Sequence, residues 1–330
     1  MKKIISLFLL IPILLCGCEL QNISQVLFIA SIGVEKEEDT YIGYFYLPLS
    51  SDVGKTENKE NQGIGQYAKV EGKTLAEVFE NIQFSTELEV NLRHASSMVI
   101  HKDLMNDDFL NELIAFVKKD AGIDYNFYLF VTEDKMEDIF QFENPNKESV
   151  IYSVLVSTLD SPSIYMAANP IHFVKFAREF YSNRCISFPL LIAEELWNIE
   201  QQEAKTIHCK DAAFYYDDQV TIVRDERSCY MKSNHIFYDD LKEQSFSLRN
   251  YHWKVAFKEQ PIIKITSKYT VLSPSDILEQ DIKKHIEETV LSFIHDYENQ
   301  DILNLTYYSA IYGQKYTYEN IHVEIKLTRY

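Results

Sequence analysis

Apolar and polar positions follow two periods along this chain, and the period predicts which segments become strands and which become helices. Residues 25–34 are a nearly continuous aliphatic run of strand length, and residues 41–47 mix aromatic and aliphatic side chains in a second one. The polar stretch Glu35-Lys36-Glu37-Glu38-Asp39 between them predicts a hairpin. Residues 50–66, with Gly54, Gly63 and Gly65 among Asn, Lys and Glu, show neither period and read as an exposed loop. After a short strand at 67–70, Leu75, Val78, Phe79 and Ile82 recur at the spacing of one helical face. A strand at 96–100 leads to a second amphipathic helix from about Asp107, burying Leu110, Leu113, Ile114 and Val117, and then to an apolar strand at 125–131. A strand, helix, strand series of this length suits a right-handed parallel crossover.

Further along, Asn169-Pro170 reads as a helix start, because Asn can cap and Pro is preset for the first helical position; Phe173, Phe176, Ala177 and Phe180 then share a face. A strand follows at 185–192. The chain turns polar between about 194 and 205, which marks the expected domain boundary, with an N-terminal α+β domain at 18–195 and a C-terminal region at 196–330. That region is expected to be β-rich to about residue 250, with strands at 212–216 and 219–223 joined at Asp217-Asp218. Beyond lie strands at 251–257 and 262–272 and a long helix through Ile277, Leu278, Ile282, Ile286, Val290, Phe293 and Ile294, opened by Ser273-Pro274-Ser275-Asp276, with a last strand at 321–327.

The first residues carry a different pattern. Lys2 and Lys3 precede a charge-free stretch of 12 residues, 4–15, ending in Leu15-Cys16-Gly17-Cys18. A bilayer-spanning helix needs about 20 apolar residues at about 1.5 Å of rise each, so this stretch reads as a signal peptide, residues 1–17, rather than as a permanent span. The last four residues match the bacterial lipobox, so Cys18 is the expected lipidation site; Cys16 would place bulky Leu15 directly before the cut. Burying acyl chain contributes about 0.8 kcal/mol per CH₂, and the two chains of a diacylglyceryl group anchor stably. The remainder of the chain then needs no membrane span.

Composition narrows the function classes. The formal net charge is −18 and becomes −20 once Lys2 and Lys3 leave with the leader. Clustered Lys and Arg are required for nucleic-acid or anionic-headgroup binding, so neither a nucleic-acid partner nor a basic surface is expected. With 330 residues that include 22 Tyr, 20 Phe and 2 Trp, the chain can build two or three domains with proper cores. Cys185, Cys209 and Cys229 remain after the leader and Cys18; an odd number implies no disulfide framework, and buried small hydrophobes are the default.

No catalytic motif meets its own definition. Gly72-Lys73-Thr74 sits between strand and helix as a P-loop ending would, but position 67 is Tyr where the phosphate cradle needs Gly. Lys73 and Thr74 read instead as first-turn helix residues. The histidines are scattered, and His208-Cys209 with Asp211 would need metal ligands from elsewhere. The acid pairs Glu194-Glu195, Asp217-Asp218 and Asp239-Asp240 read as solvated turns, since adjacent side chains diverge. Neither Gly-x-Ser-x-Gly, Ser-x-x-Lys nor Cys-x-x-Cys occurs in residues 18–330. No catalytic, cofactor or metal residue is therefore assigned.

Taken in order, several phrases resemble one family. Ile29-Ala30-Ser31-Ile32-Gly33-Val34-Glu35-Lys36, Glu71-Gly72-Lys73-Thr74-Leu75, Arg93-His94-Ala95-Ser96-Ser97-Met98-Val99-Ile100, Asp301-Ile302-Leu303 and the closing Val323-Glu324-Ile325-Lys326-Leu327-Thr328-Arg329 are similar to the lipoprotein C subunit of GerA-type nutrient germinant receptors of endospore-forming bacteria. The resemblance covers nearly the whole chain beyond the leader. It implies an α+β protein of two to three domains, with mixed β-sheets flanked by amphipathic helices. It also implies a lipid-anchored subunit without enzymatic activity or cofactor, on the outer face of the spore inner membrane beside the A and B subunits, needed for nutrient-triggered germination. A solute-binding lipoprotein of a transporter would share the anchor and the size and is the alternative expectation.

Overall fold

The structure, a computed structural model, describes residues 26–47, 66–119, 123–141, 168–199, 202–231, 235–241, 244–272 and 277–330. The expected signal peptide, Cys18, nearly all of the polar loop and the Ser273 to Asp276 cap lie outside the described residues. The expected run at 25–34 divides: β1 (Val26–Phe28) pairs in parallel with Glu89–Asn91, while β2 (Ser31–Glu37) enters the main sheet. Strand β2 turns at Glu38, whose φ is 52°, into antiparallel β3 (Thr40–Leu47), and β4 (Gln66–Gly72) pairs outside β3.

Helix α1 (Leu75–Phe84) buries the four apolar residues at its expected face. Beyond it come β5 (Glu89–Asn91) and β6 (Ser97–His101), the latter parallel to β2. Helix α2 (Asp107–Lys119) then leads to β7 (Tyr128–Thr132), which pairs in parallel with β6 as the crossover pattern predicts. The short α3 (Met136–Phe140) lies on the opposite face of the sheet from α1 and α2.

The helix expected from Asn169-Pro170 starts later. Residues Ile171–His172 form β8, with buried Ile171 opposite Leu129, and α4 (Phe173–Phe180) begins only when the Phe173 N–H donates to the Phe127 carbonyl at 3.0 Å. Strand β9 (Ile186–Ile199) runs beside β7 and on through the expected cut at 195/196. It pairs along most of its length with β10 (Gln202–Tyr216), and β11 (Gln219–Val223) closes that edge. Asp217 and Asp218 make the turn with φ of 53° and 59°, the left-handed pair that a two-residue hairpin demands.

The remaining strands, β12 (His235–Leu241), β13 (Gln244–Phe257) and β14 (Pro261–Val271), form an antiparallel sheet. Helices α5 (Glu279–Asp296) and α6 (Leu305–Tyr312) then carry the chain across to β15 (His322–Arg329), parallel to β14. Among the described residues, no helix is long and apolar enough to cross a membrane.

The main sheet has the order β11-β10-β9-β7-β6-β2-β3-β4, with β8 alongside β7, and is covered on both faces. Ile32, Val34, Phe45, Met98, Leu129 and Phe188 meet α1, α2 and α4 on one face. Tyr44, Val99, Phe130 and Leu191 meet α3 on the other. A second large core joins α5 and the four-stranded sheet to Ala212, Phe214 and Val223 at the end of the main sheet. The fold is therefore α+β, with mixed sheets flanked by amphipathic helices. Its exposed side departs from the expectation drawn from net charge: strand alternation collects Arg249, Lys254, Lys264, Lys268 and Lys326 on the face of the small sheet turned away from α5.

Candidate functional site

The P-loop-like string is a helix cap. Thr74 Oγ1 accepts the Glu77 N–H at 3.1 Å, and Glu77 Oε2 accepts the Lys73 N–H at 2.7 Å, a reciprocal pair of the capping-box kind. Thr74 thus stands just before the first turn rather than inside it. A Cβ on Gly72 would fall 2.7 Å from the Val78 nitrogen, so glycine is needed for β4 to pass this close to α1. Glu112 on α2 accepts the Leu75 N–H at 3.0 Å and the Tyr41 hydroxyl at 3.2 Å. Burial and this carboxylate push the Tyr41 phenol up to about 12.

The phrase from Ile29 to Lys36 builds a polar seam against α3. Ser31 and Ser97 hydroxyls lie 2.8 Å apart on adjacent strands with both residues fully buried. Glu35, 8% exposed, accepts the Tyr44 hydroxyl at 2.6 Å and the Met136 N–H at 3.1 Å, which satisfies an open amide at the start of α3. Burial and the Glu35 carboxylate raise the Tyr44 phenol well above its ordinary value.

The remaining sequence candidates separate in space. His208 Nε2 lies 2.8 Å from Glu194 Oε2, Cys209 is buried in the core beside α3, and Asp211 lies 3.7 Å from Arg224 Nε. Among the described residues, no group of three or more His, Cys, Asp or Glu could hold a metal ion. No disulfide links Cys185, Cys209 and Cys229, and burial raises the Cys185 thiol. Asp217-Asp218 is the expected turn, yet Asp218 also reaches back to accept the Asp107 N–H of α2 at 2.6 Å. Asp239-Asp240 is not a turn: both lie on β12, opposite Phe246 and Ser245 of β13, and Asp239 has partners on other elements.

Those partners are Tyr230, whose hydroxyl donates to Asp239 Oδ2, and His285 on α5, whose Nε2 lies 2.9 Å from the same oxygen. The hydrogen bond to Asp239 raises the His285 imidazole, and burial is the largest cause raising the Tyr230 phenol. Burial opposes ionisation of Asp239, but its bonds to His285 and Tyr230 leave the carboxyl below its ordinary range. The group clamps α5 to β12. Neighbours nine and 46 residues apart give no local sequence signal.

The Asp301 phrase forms the junction between the two large cores. Buried Asp301 accepts the Leu305 N–H at 2.7 Å, the Thr306 N–H at 3.0 Å and the Tyr318 hydroxyl at 2.8 Å, which orders the start of α6. Asp301 and Asn304 adopt φ of 45° and 57°, a conformation that Asp and Asn tolerate best after Gly. Asn304 Oδ1 then accepts the Cys185 N–H at 2.7 Å, and the Arg184 guanidinium stacks 3.9 Å from the Tyr307 ring. These contacts hold the segment before β9 against α6.

A family model described as the spore germination protein N-terminal domain matches residues 20–193. The chain is also similar to a solved structure described as the crystal structure of the GerBC protein, at 9% identity and a TM-score of 0.46, over 90% of this chain and 96% of that one. No curated protein matches the chain.

Proposed function

The chain belongs to the spore germination protein family, and from that premise we propose that it is the lipid-anchored C subunit of a nutrient germinant receptor. The observation that carries the reading is the family match over residues 20–193, more than half of the chain. Lipid on Cys18 would tether the acidic body to the outer face of the spore inner membrane, where it completes a complex with polytopic A and transporter-like B subunits. The proposed role is non-catalytic, and in it Tyr230, Asp239 and His285 serve as a clamp while the polar seam around Glu35 orders α3.

Deleting the gene and following dipicolinate release from the spores tests this reading. The expected result is loss of the response to a particular nutrient while growth and sporulation stay normal. An unchanged response to every nutrient would overturn it. Calorimetric titration of the chain with candidate nutrients separates it from a solute-binding lipoprotein: tight one-site binding by this chain alone would favour the transporter alternative.

A further inference from the structure

The outer face of the small sheet is basic on a strongly acidic molecule. Trp253, Val255, Ile263, Ile265, Val323 and Leu327 turn toward the core under α5, so the residues that alternate with them turn outward. Across β13, β14 and β15 these form successive rows: Lys254, Lys264 and Glu324; His252, Thr266 and Lys326; Arg249, Lys268 and Thr328. Lys254, Lys268, Lys326 and His252 are exposed, and Arg249 and Lys264 are partly so. Among the outward positions of these three strands, Glu324 is the acid, bonded to Lys264 at 3.0 Å.

Three features mark this face as more than a solvated surface. Lys254 stands directly opposite Lys264, and Arg249 opposite Lys268, in antiparallel pairs. Like charges in such positions oppose sheet formation. The protein as a whole has 32 Lys and Arg against 50 Asp and Glu, so a random draw of surface residues would make the face acidic. The Tyr330 ring lies 5.6 Å from the Arg249 guanidinium and 5.5 Å from Lys268 Nζ, placing an exposed aromatic residue among the cations.

We propose that the outer face of β13, β14 and β15 docks on the anionic phospholipid headgroups of the membrane that holds the anchor. The proposal rests on the anchored reading above. Charge complementarity selects the face: the net charge of −20 that remains without Lys2 and Lys3 disfavours approach to an anionic surface, and this basic side reverses the sign locally. Each Lys or Arg beside an anionic surface favours contact by about fivefold, within a screening length of about 10 Å at moderate salt. A tethered body meets the membrane continuously, so one basic face is enough to orient it. A free polyanion would have to approach the acidic molecule against its net charge.

The test uses the lipidated full chain on vesicles of phosphatidylcholine alone and of phosphatidylcholine mixed with phosphatidylglycerol. A brief pulse of an amine-reactive ester is read by mass spectrometry at Lys254, Lys264, Lys268 and Lys326, with Lys36, Lys118 and Lys284 as references on other elements. The expected result is labelling about fivefold slower or more at the four sheet lysines on the anionic vesicles. The references should not change, and high salt should erase the effect. The Lys254→Glu, Lys268→Glu variant should lose the protection at Lys264 and Lys326 while its references label as in the parent, showing that it is folded.

Equal labelling on the two vesicles overturns the proposal, and so does protection on the neutral ones. Protection in native membranes that is missing from the anionic vesicles would assign the face to an acidic protein and also overturn it. Sedimentation with the neutral vesicles reads the anchor separately: a chain left in the supernatant sinks the anchored reading whatever the lysines do.

Discussion

A methyl group at Gly33 would come within 2.5 Å of the Phe140 ring and 2.7 Å of Met136 Sδ, so β2 and α3 can approach only across a residue without Cβ. Gly33→Ala is expected to cost about 1–3 kcal/mol as α3 is pushed off the sheet, read as a lower urea midpoint with an unchanged slope. Asp301→Ala removes the acceptor of two backbone amides and a tyrosine hydroxyl in a buried place. A loss of about 3 kcal/mol is expected, while Asp301→Asn, which keeps one acceptor oxygen, should lose less. Both residues sit in phrases that resemble the germinant-receptor family. Their reasons were hidden in sequence, because Gly33 looks like part of an ordinary strand and the donors to Asp301 reach to residue 318. By contrast, Thr74 and Glu77 stand at capping spacing, which is local and readable.

Longer elements with a clean period were legible. Helices α1 and α2 bury the predicted faces, and α5 does so from Ile282 to Ile294, because a stripe repeated over several turns survives any tertiary context; Leu278, 62% exposed, stands just before the first turn of α5. Helix α3 has five residues, too few to show a period, and the eight of α6 carry aromatic residues on several sides. Asn169-Pro170 carried a helix signal, but pairing of Ile171 with Leu129 delayed the start. The polar stretch at 194–205 read as a boundary because a hairpin extending along its partner needs few apolar residues; its backbone pairs from Glu195 with Lys205 to Ile199 with Gln202.

At the same scale, the clamp between α5 and β12 predicts a pH profile. His285 is raised above its ordinary 6.5, so its contribution is complete below that value and fades as pH rises through the raised one. Asp239 is lowered below 3.8, so its contribution is present above that value and lost as pH falls through the lowered one. The melting midpoint should therefore benefit most from the clamp between these limits and decline on the alkaline side. His285→Gln should flatten that alkaline decline in a calorimetric series; an identical slope in the variant would remove the clamp from the account.

For the whole molecule, net charge was a poor guide to the surface. Net charge averages over all faces, whereas strand alternation sorts Lys and Arg onto one side, a separation that appears only once the register is known. The proposed anchor predicts that Cys18→Ala yields an unlipidated precursor lost from the membrane fraction or degraded, whereas Cys16→Ala changes little. Membrane fractionation reads this directly, and full retention of the Cys18→Ala form would contradict it.

The germinant-receptor role is tested most directly by purifying the tagged chain from spore membranes in mild detergent and identifying what comes with it by mass spectrometry. The account predicts stoichiometric recovery of a polytopic subunit and a transporter-like subunit. Recovery of the chain alone, or with the components of a solute transporter, would contradict it.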